Sequence, residues 1–588
     1  MRLSTIRIQN FRRIEDAEIV LANSAFLIGQ NNFGKSSVIR AIEFLLSDKH
    51  PELGDYLMES DGQTRREKII LTGYFSEIDP ETARASGFKG RVVNGHYCYR
   101  KTYCLMQNKP EKECMEYPYA LLPAFSGAKS AEALDKAGIP PERIKDVVNK
   151  DGKLKKNWER ELLDLVADFK IMVEPTWVVN PGGIPGNVLS KLPRILHVAS
   201  LTDEGDVSRA EKNTLIAEVL GILFEDLLSS SDITQTLKTG FKALEDEMRP
   251  DTEGSLISNL CNELNKIIGG VFPDCSIDIK PTLQDLAAVL KPKYEVTMSS
   301  NVATDVGRQG TGLLRTALFS MLRYHSQLRE QKGLETRPLL VAFEEPELYL
   351  HPSAANLLRD TIYALGRTDQ IVCTTHSPWM IDLSKDLQSL TKMLCMDNGN
   401  LTAVNYGLSN ELENMQDDDR IRVKMLQIFD DELSRAFFAD RTVVVEGDSE
   451  VVALRRTLDL LPSEARNKIL STTQILKARG KASIISLVKY LQAMSIAPIV
   501  VHDRDKGIEG AERFNKPIAD AVGEPARIVV LEECLEHTLG FDPPQKDKPY
   551  SVYARVSTWS TWEEVPDAWK KIVSTVFGIE NLPLGHDT

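Results

Sequence analysis

No stretch of this 588-residue chain stays apolar for the ~18 residues that a bilayer span requires, so a membrane-spanning role is excluded. The opening "MRLSTIRIQNFRR" alternates apolar and polar residues like a strand and lacks the apolar core of a secretory leader. A cytoplasmic location is therefore expected. Cysteine is sparse: Cys98, Cys104, Cys114, Cys261, Cys275, Cys373, Cys395 and Cys534 form no C-x-x-C pair. Cys98, Cys104 and Cys114 lie near His96, but their spacings are not those of a zinc knuckle. Reduced thiols are expected, with no disulfide and no structural metal. Positive charge is lacking too, and the net −14 excludes a broad basic nucleic-acid footprint. It does not exclude an enzyme of nucleic acids, because local basic grooves and bound divalent ions attract phosphate even on an acidic chain. Internal repeats and low-complexity tracts are absent.

What is present reads as two to four soluble domains, with 42% hydrophobic and 27% charged residues. The first 46 residues run strand, strand, glycine loop, helix, and charged strands such as "EKIILTGYFSEI" follow. From about Ala210 to Gly269 the apolar spacing is helical and carries no catalytic-looking residues, which suggests an interaction or dimerisation element. Strand signals return before "RPLLVAFEEPELYLHP" and "TDQIVCTTHSPWMIDL". A polar, acidic stretch from about Asp397 to Asp431 reads as a linker region, and strand-helix alternation from Ala439 onward predicts a second parallel α/β domain.

"GQNNFGKS" fits G-x-x-x-x-G-K-[ST]. Backbone amides from Gly29 through Asn31, Asn32 and Gly34 would wrap phosphates, Lys35 would reach the terminal ones, and Ser36, beside Ser37 at the helix start, would ligate Mg²⁺. Downstream, an apolar strand ends in Glu344 and Glu345. The first carboxylate suits the metal shell and the second suits orientation of an attacking water. His376, at the end of another apolar strand, is a plausible contact to the terminal phosphate. This series resembles the ABC-type ATPase head of SMC and RecF-like proteins. That resemblance implies that Arg12 contacts nucleotide and that Gly310 to Gly312, with Arg315, form a signature loop acting across a dimer. Glu344 stands where many relatives carry Asp.

A second set of acids lies late in the chain. "RTVVVEGDSE" ends a strand in Glu446, turns at Gly447 and adds Glu450 one helical turn on. "APIVVHDRDKG" ends another strand in Asp503 and Asp505, whose i, i+2 spacing predicts one shared face. A third strand delivers Glu532, Glu533 and Glu536. Carboxylates converging on one sheet edge would repel and raise one another's pKa unless divalent cations sat among them, and oxygen-only donors suit Mg²⁺ or Mn²⁺. Two such ions support phosphodiester hydrolysis, with Lys548 as an added positive charge at the transition state. An exposed acidic rim is the plain alternative.

Strand-E-G-x-x-E followed by strand-D-x-D resembles the TOPRIM domain. An ABC head followed by TOPRIM resembles the overcoming lysogenization defect (OLD) nucleases, which include the nuclease subunit of Gabija-type phage defence. The fold implied is α/β: an ABC/SMC-like P-loop ATPase at 1–200 and 276–396, a helical dimerisation insert at 201–275, a linker region at 397–436, and TOPRIM at 437–588. The resemblance further implies an ATP-binding, two-metal DNA endonuclease in anti-phage defence, with ATP and Mg²⁺ in the head. It points to Glu536 and Lys548 as completing the nuclease site, and leaves the choice among Glu532, Glu533 and Glu536 open. A homodimer or higher homo-oligomer acting on DNA is expected, with room for a helicase, reverse transcriptase or other defence partner, and no membrane. The alternative is a RecF-like repair ATPase that binds DNA without cleaving it. A strand-rejoining enzyme would need a nucleophilic tyrosine, for which Tyr490, Tyr550 and Tyr553 are the nearby candidates.

Overall fold

The computed structural model describes residues 1–199, 216–223 and 311–579 apart from short breaks, together with isolated positions and two short strands between 236 and 305. Most of the expected insert at 201–275 lies outside the described residues. Two units separate by their contacts: Val198–Arg337 with Pro346–Asp369, and the remainder. No described helix is long and apolar enough to cross a membrane.

The larger unit contains a 12-stranded mixed sheet. Its strands are β1 (Arg2–Phe11), β2 (Ile14–Val20), β3 (Ser24–Ile28), β4 (Lys68–Ser76), β5 (Tyr97–Cys104), β6 (Glu111–Glu116), β7 (Thr176–Val179), β8 (Arg194–Val198), β9 (Leu339–Glu344), β10 (Gln370–Thr374), β11 (Gln388–Cys395) and β12 (Leu401–Tyr406). They lie in the order β8-β9-β10-β3-β11-β12-β2-β1-β4-β5-β6-β7. Around β3 the pairing is parallel, with β10 on one side and β11 on the other. Beyond β2 it is antiparallel.

Sequence explains this division. "SAFLI" and "QIVCT" are buried along their whole length, as strands covered on both faces must be, whereas β2 alternates buried and exposed positions as a half-solvated strand does. The helix Lys35–Leu46 follows β3 and lays Val38, Ile39, Ile42 and Leu45 into the same core as Leu3, Ile6 and Leu71.

The C-terminal sheet has four parallel strands: β13 (Arg441–Val445), β14 (Thr473–Lys477), β15 (Ile499–Asp503) and β16 (Ile528–Leu531), in the order β14-β13-β15-β16. Its core includes Val443, Val501, Leu531 and Trp569, and the buried indole N–H of Trp569 donates to Thr457 Oγ1 at 2.9 Å.

The stretch expected to link the two sheets is structured. It contributes β12, paired with β11, and a helix at Asp417–Phe429. The acidic run Asp417–Asp419 is that helix's first turn, where carboxylates face the positive end of the helix dipole. Asp419 also accepts from Ser486 Oγ and Lys489 Nζ, each at 2.6 Å, which fastens the helix to the C-terminal domain.

Candidate active site and nucleotide site

The loop joining β3 to its helix is shaped around its glycines. Gly34 sits at φ +83°, and a Cβ there would lie 2.7 Å from Leu401 Cδ1; one on Gly29 would lie 2.7 Å from the carbonyl oxygen of Met393. Only glycine fits this path without displacing the neighbours. Lys35 folds back over the loop and donates to the carbonyls of Gly29 and Gln30 at 3.1 and 3.0 Å. Burial lowers its pKa, with Glu345 opposing. Ser36 is exposed, Ser37 is buried, and Asn31 and Asn32 lie exposed on the loop. Arg12 has φ +55°, pairs with Asp55 at 2.8 Å and reaches Ser37 Oγ at 3.4 Å, so it stands beside the loop.

The two acids at the end of β9 have different surroundings. Glu345 has φ +44°, an uncommon conformation for a residue with a side chain, and its amide donates to the carbonyl of Thr374. Its carboxylate stands 3.4 Å from His376 Nε2. Burial, and then the Lys35 charge, lower the His376 pKa. Glu344 instead meets His197 Nε2 at 3.2 Å, and the other nitrogen of that ring lies 3.7 Å from Glu43 Oε2. Burial by itself would lower the His197 pKa, but the hydrogen bonds to Glu344 and Glu43 outweigh it and raise the value. Burial likewise opposes ionisation of Glu43, while His197, Lys49 and Arg40 together hold its carboxyl well below the usual range.

His197 and Glu43 were not anticipated from sequence. The available signals are an acid inside the otherwise apolar "AIEFLL" and a histidine within the strand "RILHV". Gly310 lies outside the described residues, and Gly312 is in the helix Thr311–Lys332. Arg315 is buried and donates to the carbonyls of Pro346 and Leu348.

In the C-terminal domain the carboxylates collect at the C-terminal edge of the sheet. Glu446 directly follows β13. Glu450, 5% exposed, accepts from the Gly447 amide at 2.9 Å, so the turn and the acid hold each other in place. Asp503 is the last residue of β15. Asp505 lies past the strand at φ +54°, so the turn, not strand alternation, brings it to the cluster. Its carboxylate is bound at 2.6 Å by Lys481, a lysine 3% exposed that also donates to Asn515 Oδ1 at 3.0 Å.

Among the three late glutamates, only Glu536 is buried here, 3.8 Å from Lys548 Nζ. Glu533 points outward to His537, and Glu532 pairs with Arg504. Two apolar side chains, Leu531 and Leu535, anchor the segment, and the acids between them are left on its outer side. Tyr490 is fully buried and bonded to Gln427, which removes it as an accessible nucleophile, while Tyr550 and Tyr553 are exposed.

Electrostatics mark this edge as unusual. Burial, then the charges of Glu450, Glu446, Asp505 and Glu536, push Asp503 up to about 8. Burial and Glu450 push Glu446 up to about 7, with Lys481 opposing. Burial also raises Glu450. Among the described residues no group of three or more Asp, Glu, His or Cys side chains is arranged, as it stands, to hold a metal ion. Yet Glu446 Oε2, Asp503 Oδ1 and Glu536 Oε2 are buried without a hydrogen-bond partner. Buried carboxylate oxygens with no donor are costly, and a divalent cation satisfies such oxygens while cancelling their repulsion. The donor set therefore fits a hard ion of the Mg²⁺ or Mn²⁺ kind.

Residues 1–381 match the family model for an AAA ATPase domain, and residues 437–505 match the TOPRIM domain of overcoming lysogenization defect protein-like proteins. An Old nuclease of Escherichia phage P2 is 22% identical over 86% of this chain and 77% of its own length. An OLD nuclease of Thermus scotoductus is 21% identical over 98% of both chains. Endonuclease GajA of Bacillus cereus is 22% identical over 79% of this chain and 69% of its own. A solved SMC head bound to the C-terminal winged-helix domain of ScpA covers 70% of the chain at 12% identity and a TM-score of 0.35.

Proposed function

We propose, from the premise that the chain belongs to the AAA ATPase-domain family and, with its TOPRIM domain, to the OLD nucleases, that it is a DNA endonuclease using divalent metal under the control of its nucleotide site. One observation carries the metal dependence: Glu446, Asp503 and Glu536 each bury a carboxylate oxygen that has no donor, and Asp503 feels the charge of the other two. Glu446, Glu450, Asp503, Asp505 and Glu536 would hold Mg²⁺ or Mn²⁺. When bound, such ions lower the pKa of water and stabilise the leaving oxygen of a phosphodiester.

The chain's own residues supply the rest. Lys481 fixes the Asp505 carboxylate, and Gly447 fixes Glu450, so two members of the cluster are held before DNA arrives. Lys548, half exposed beside Glu536, offers a positive charge toward a scissile phosphate. Glu533, exposed and paired with His537, is better read as a surface residue than as a ligand.

In the N-terminal sheet, Lys35 and the glycine loop would take the phosphates of ATP, and Ser36 with Glu344 would hold its Mg²⁺. Glu345 beside His376 is placed to orient water at the terminal phosphate. By the family resemblance, the setting is defence against phage, and the working form is a homo-oligomer.

Plasmid cleavage with Mg²⁺ and with Mn²⁺, each with and without ATP, tests the reading. Glu446→Ala and Asp503→Ala should abolish nicking while ATP binding persists. Full cleavage by both variants overturns the site, and an unchanged rate across all ATP conditions overturns nucleotide control.

A further inference from the structure

At the opposite edge of the C-terminal sheet lies a cavity of about 430 Å³. It sits at the start of β14, whose Thr473 pairs with Arg441 at the start of β13. A strand of this length rises ~3.3 Å per residue, which sets the cavity roughly 15 Å from the carboxylates that follow β13. It is a separate place from the nuclease site.

Among the described residues, four guanidiniums line this cavity. Arg455 and Arg456 come from the last turn of the helix Asp448–Leu458, Arg466 from the helix Ser463–Thr472, and Arg435 from the 3-10 turn Leu433–Phe437. Among the described lining residues Asp459 is the one carboxylate; it accepts from both Arg456 and Arg466 at 2.8 Å, and Arg435 and Arg455 have partners of their own. Arg456 Nε is buried with no hydrogen-bond partner.

The helix dipole explains a positive charge on Arg455 and Arg456. It does not explain why Arg435 and Arg466 arrive at the same cavity from two other elements. On a chain of net charge −14, such a grouping raises the local concentration of anions. The lining also includes the buried apolar residues Ile469, Ile475 and Phe577. Guanidiniums together with an aromatic side chain in one lining suit a ligand with an anionic head and an organic body, and the volume lies within the ~300–1,000 Å³ of small-molecule sites. Guanidinium forks match phosphate oxygens in pairs.

We propose that this cavity is a second phosphate-ester site, distinct from both the phosphate loop and the carboxylate edge, which takes the phosphates of a nucleotide. The shared chemistry has two sources, a free nucleotide or the backbone of DNA, and the test separates them. Calorimetric titration compares the full chain carrying Lys35→Ala, which weakens the phosphate loop, with the same chain carrying the arginine changes as well, and uses ADP and inorganic pyrophosphate in one arm. A short DNA duplex in EDTA is used in the other.

A free-nucleotide site gives ADP or pyrophosphate binding that Arg455→Gln/Arg466→Gln weakens about tenfold or more. A DNA source leaves ADP and pyrophosphate binding unchanged by the pair, while the same pair weakens duplex binding by a similar factor. Arg455→Lys/Arg466→Lys keeps the charge, removes the forks and guards against misfolding, and should give an intermediate loss in whichever arm responds. If both double variants leave the affinity for ADP, pyrophosphate and duplex unchanged, the proposal is overturned.

Discussion

Replacing Asp503 with Asn should make the C-terminal sheet harder to open at pH 8 in EDTA, although the same change removes a residue proposed for catalysis. Burial and four neighbouring carboxylates push Asp503 up to about 8, from an ordinary value of 3.8. That gap is about four pH units, and at 1.36 kcal/mol per pH unit it sets a ceiling of about 5 kcal/mol. The repulsion is shared across the cluster, so one neutralisation relieves part of it, about 1–3 kcal/mol. A carboxyl whose pKa is raised on folding binds more protons in the native state than in the unfolded one. Stability therefore falls as pH rises from about 4 to about 8, and the advantage of Asn grows over that window.

Hydrogen exchange of the full chain followed by mass spectrometry reads this locally, through the amides of Val443–Val445 and Ile499–Asp503. After correction for intrinsic rates, Asp503→Asn should slow opening about 5- to 150-fold at pH 8 and by much less at pH 5. Saturating Mn²⁺ should protect the parent and leave the variant little changed. An equal gain at both pH values, or none at pH 8, refutes carboxylate repulsion as the property of this edge.

Other perturbations separate the two sites. Lys35→Ala should weaken ATP binding about 10- to 100-fold, measured with a fluorescent nucleotide, while exchange in β13 and β15 stays as in the parent. Glu345→Gln should retain ATP but cut its hydrolysis about 100-fold in a phosphate-release assay, since the amide keeps the shape and loses the base. His197→Ala leaves Glu344 and Glu43 without their shared buried partner and should cost about 2 kcal/mol by chemical denaturation. Because the His197 pKa is raised on folding, its contribution is full below about pH 6 and disappears as pH climbs through the folded value. The gap between His197→Ala and the parent should therefore narrow from pH 6 to pH 9.

Much of both sites is visible as local pattern. A phosphate loop is a contiguous string whose glycines and lysine must be adjacent to work, so "GQNNFGKS" declares itself. Apolar strands ending in Glu344, Glu446 or Asp503 are equally legible, because a strand buried on both faces has to be continuous and its end is where a side chain can leave the core. The same reasoning groups Asp505 with the other acids by strand alternation, whereas the structure puts it past the strand in a left-handed turn.

The acidic stretch around Asp417 misleads in the other direction, since charge alone looks solvated and its role as a helix start depends on the partner helix at Lys481–Ala493. Composition and order thus determined two α/β sheets, a nucleotide loop and an acidic edge. Tertiary structure alone decided that Glu536 is buried while Glu533 faces out, that Lys481 closes on Asp505, and that His197 stands between Glu43 and Glu344. Those choices depend on which side chains from distant segments share a desolvated space, and the energy of a buried charge is set by that company rather than by its neighbours in the chain.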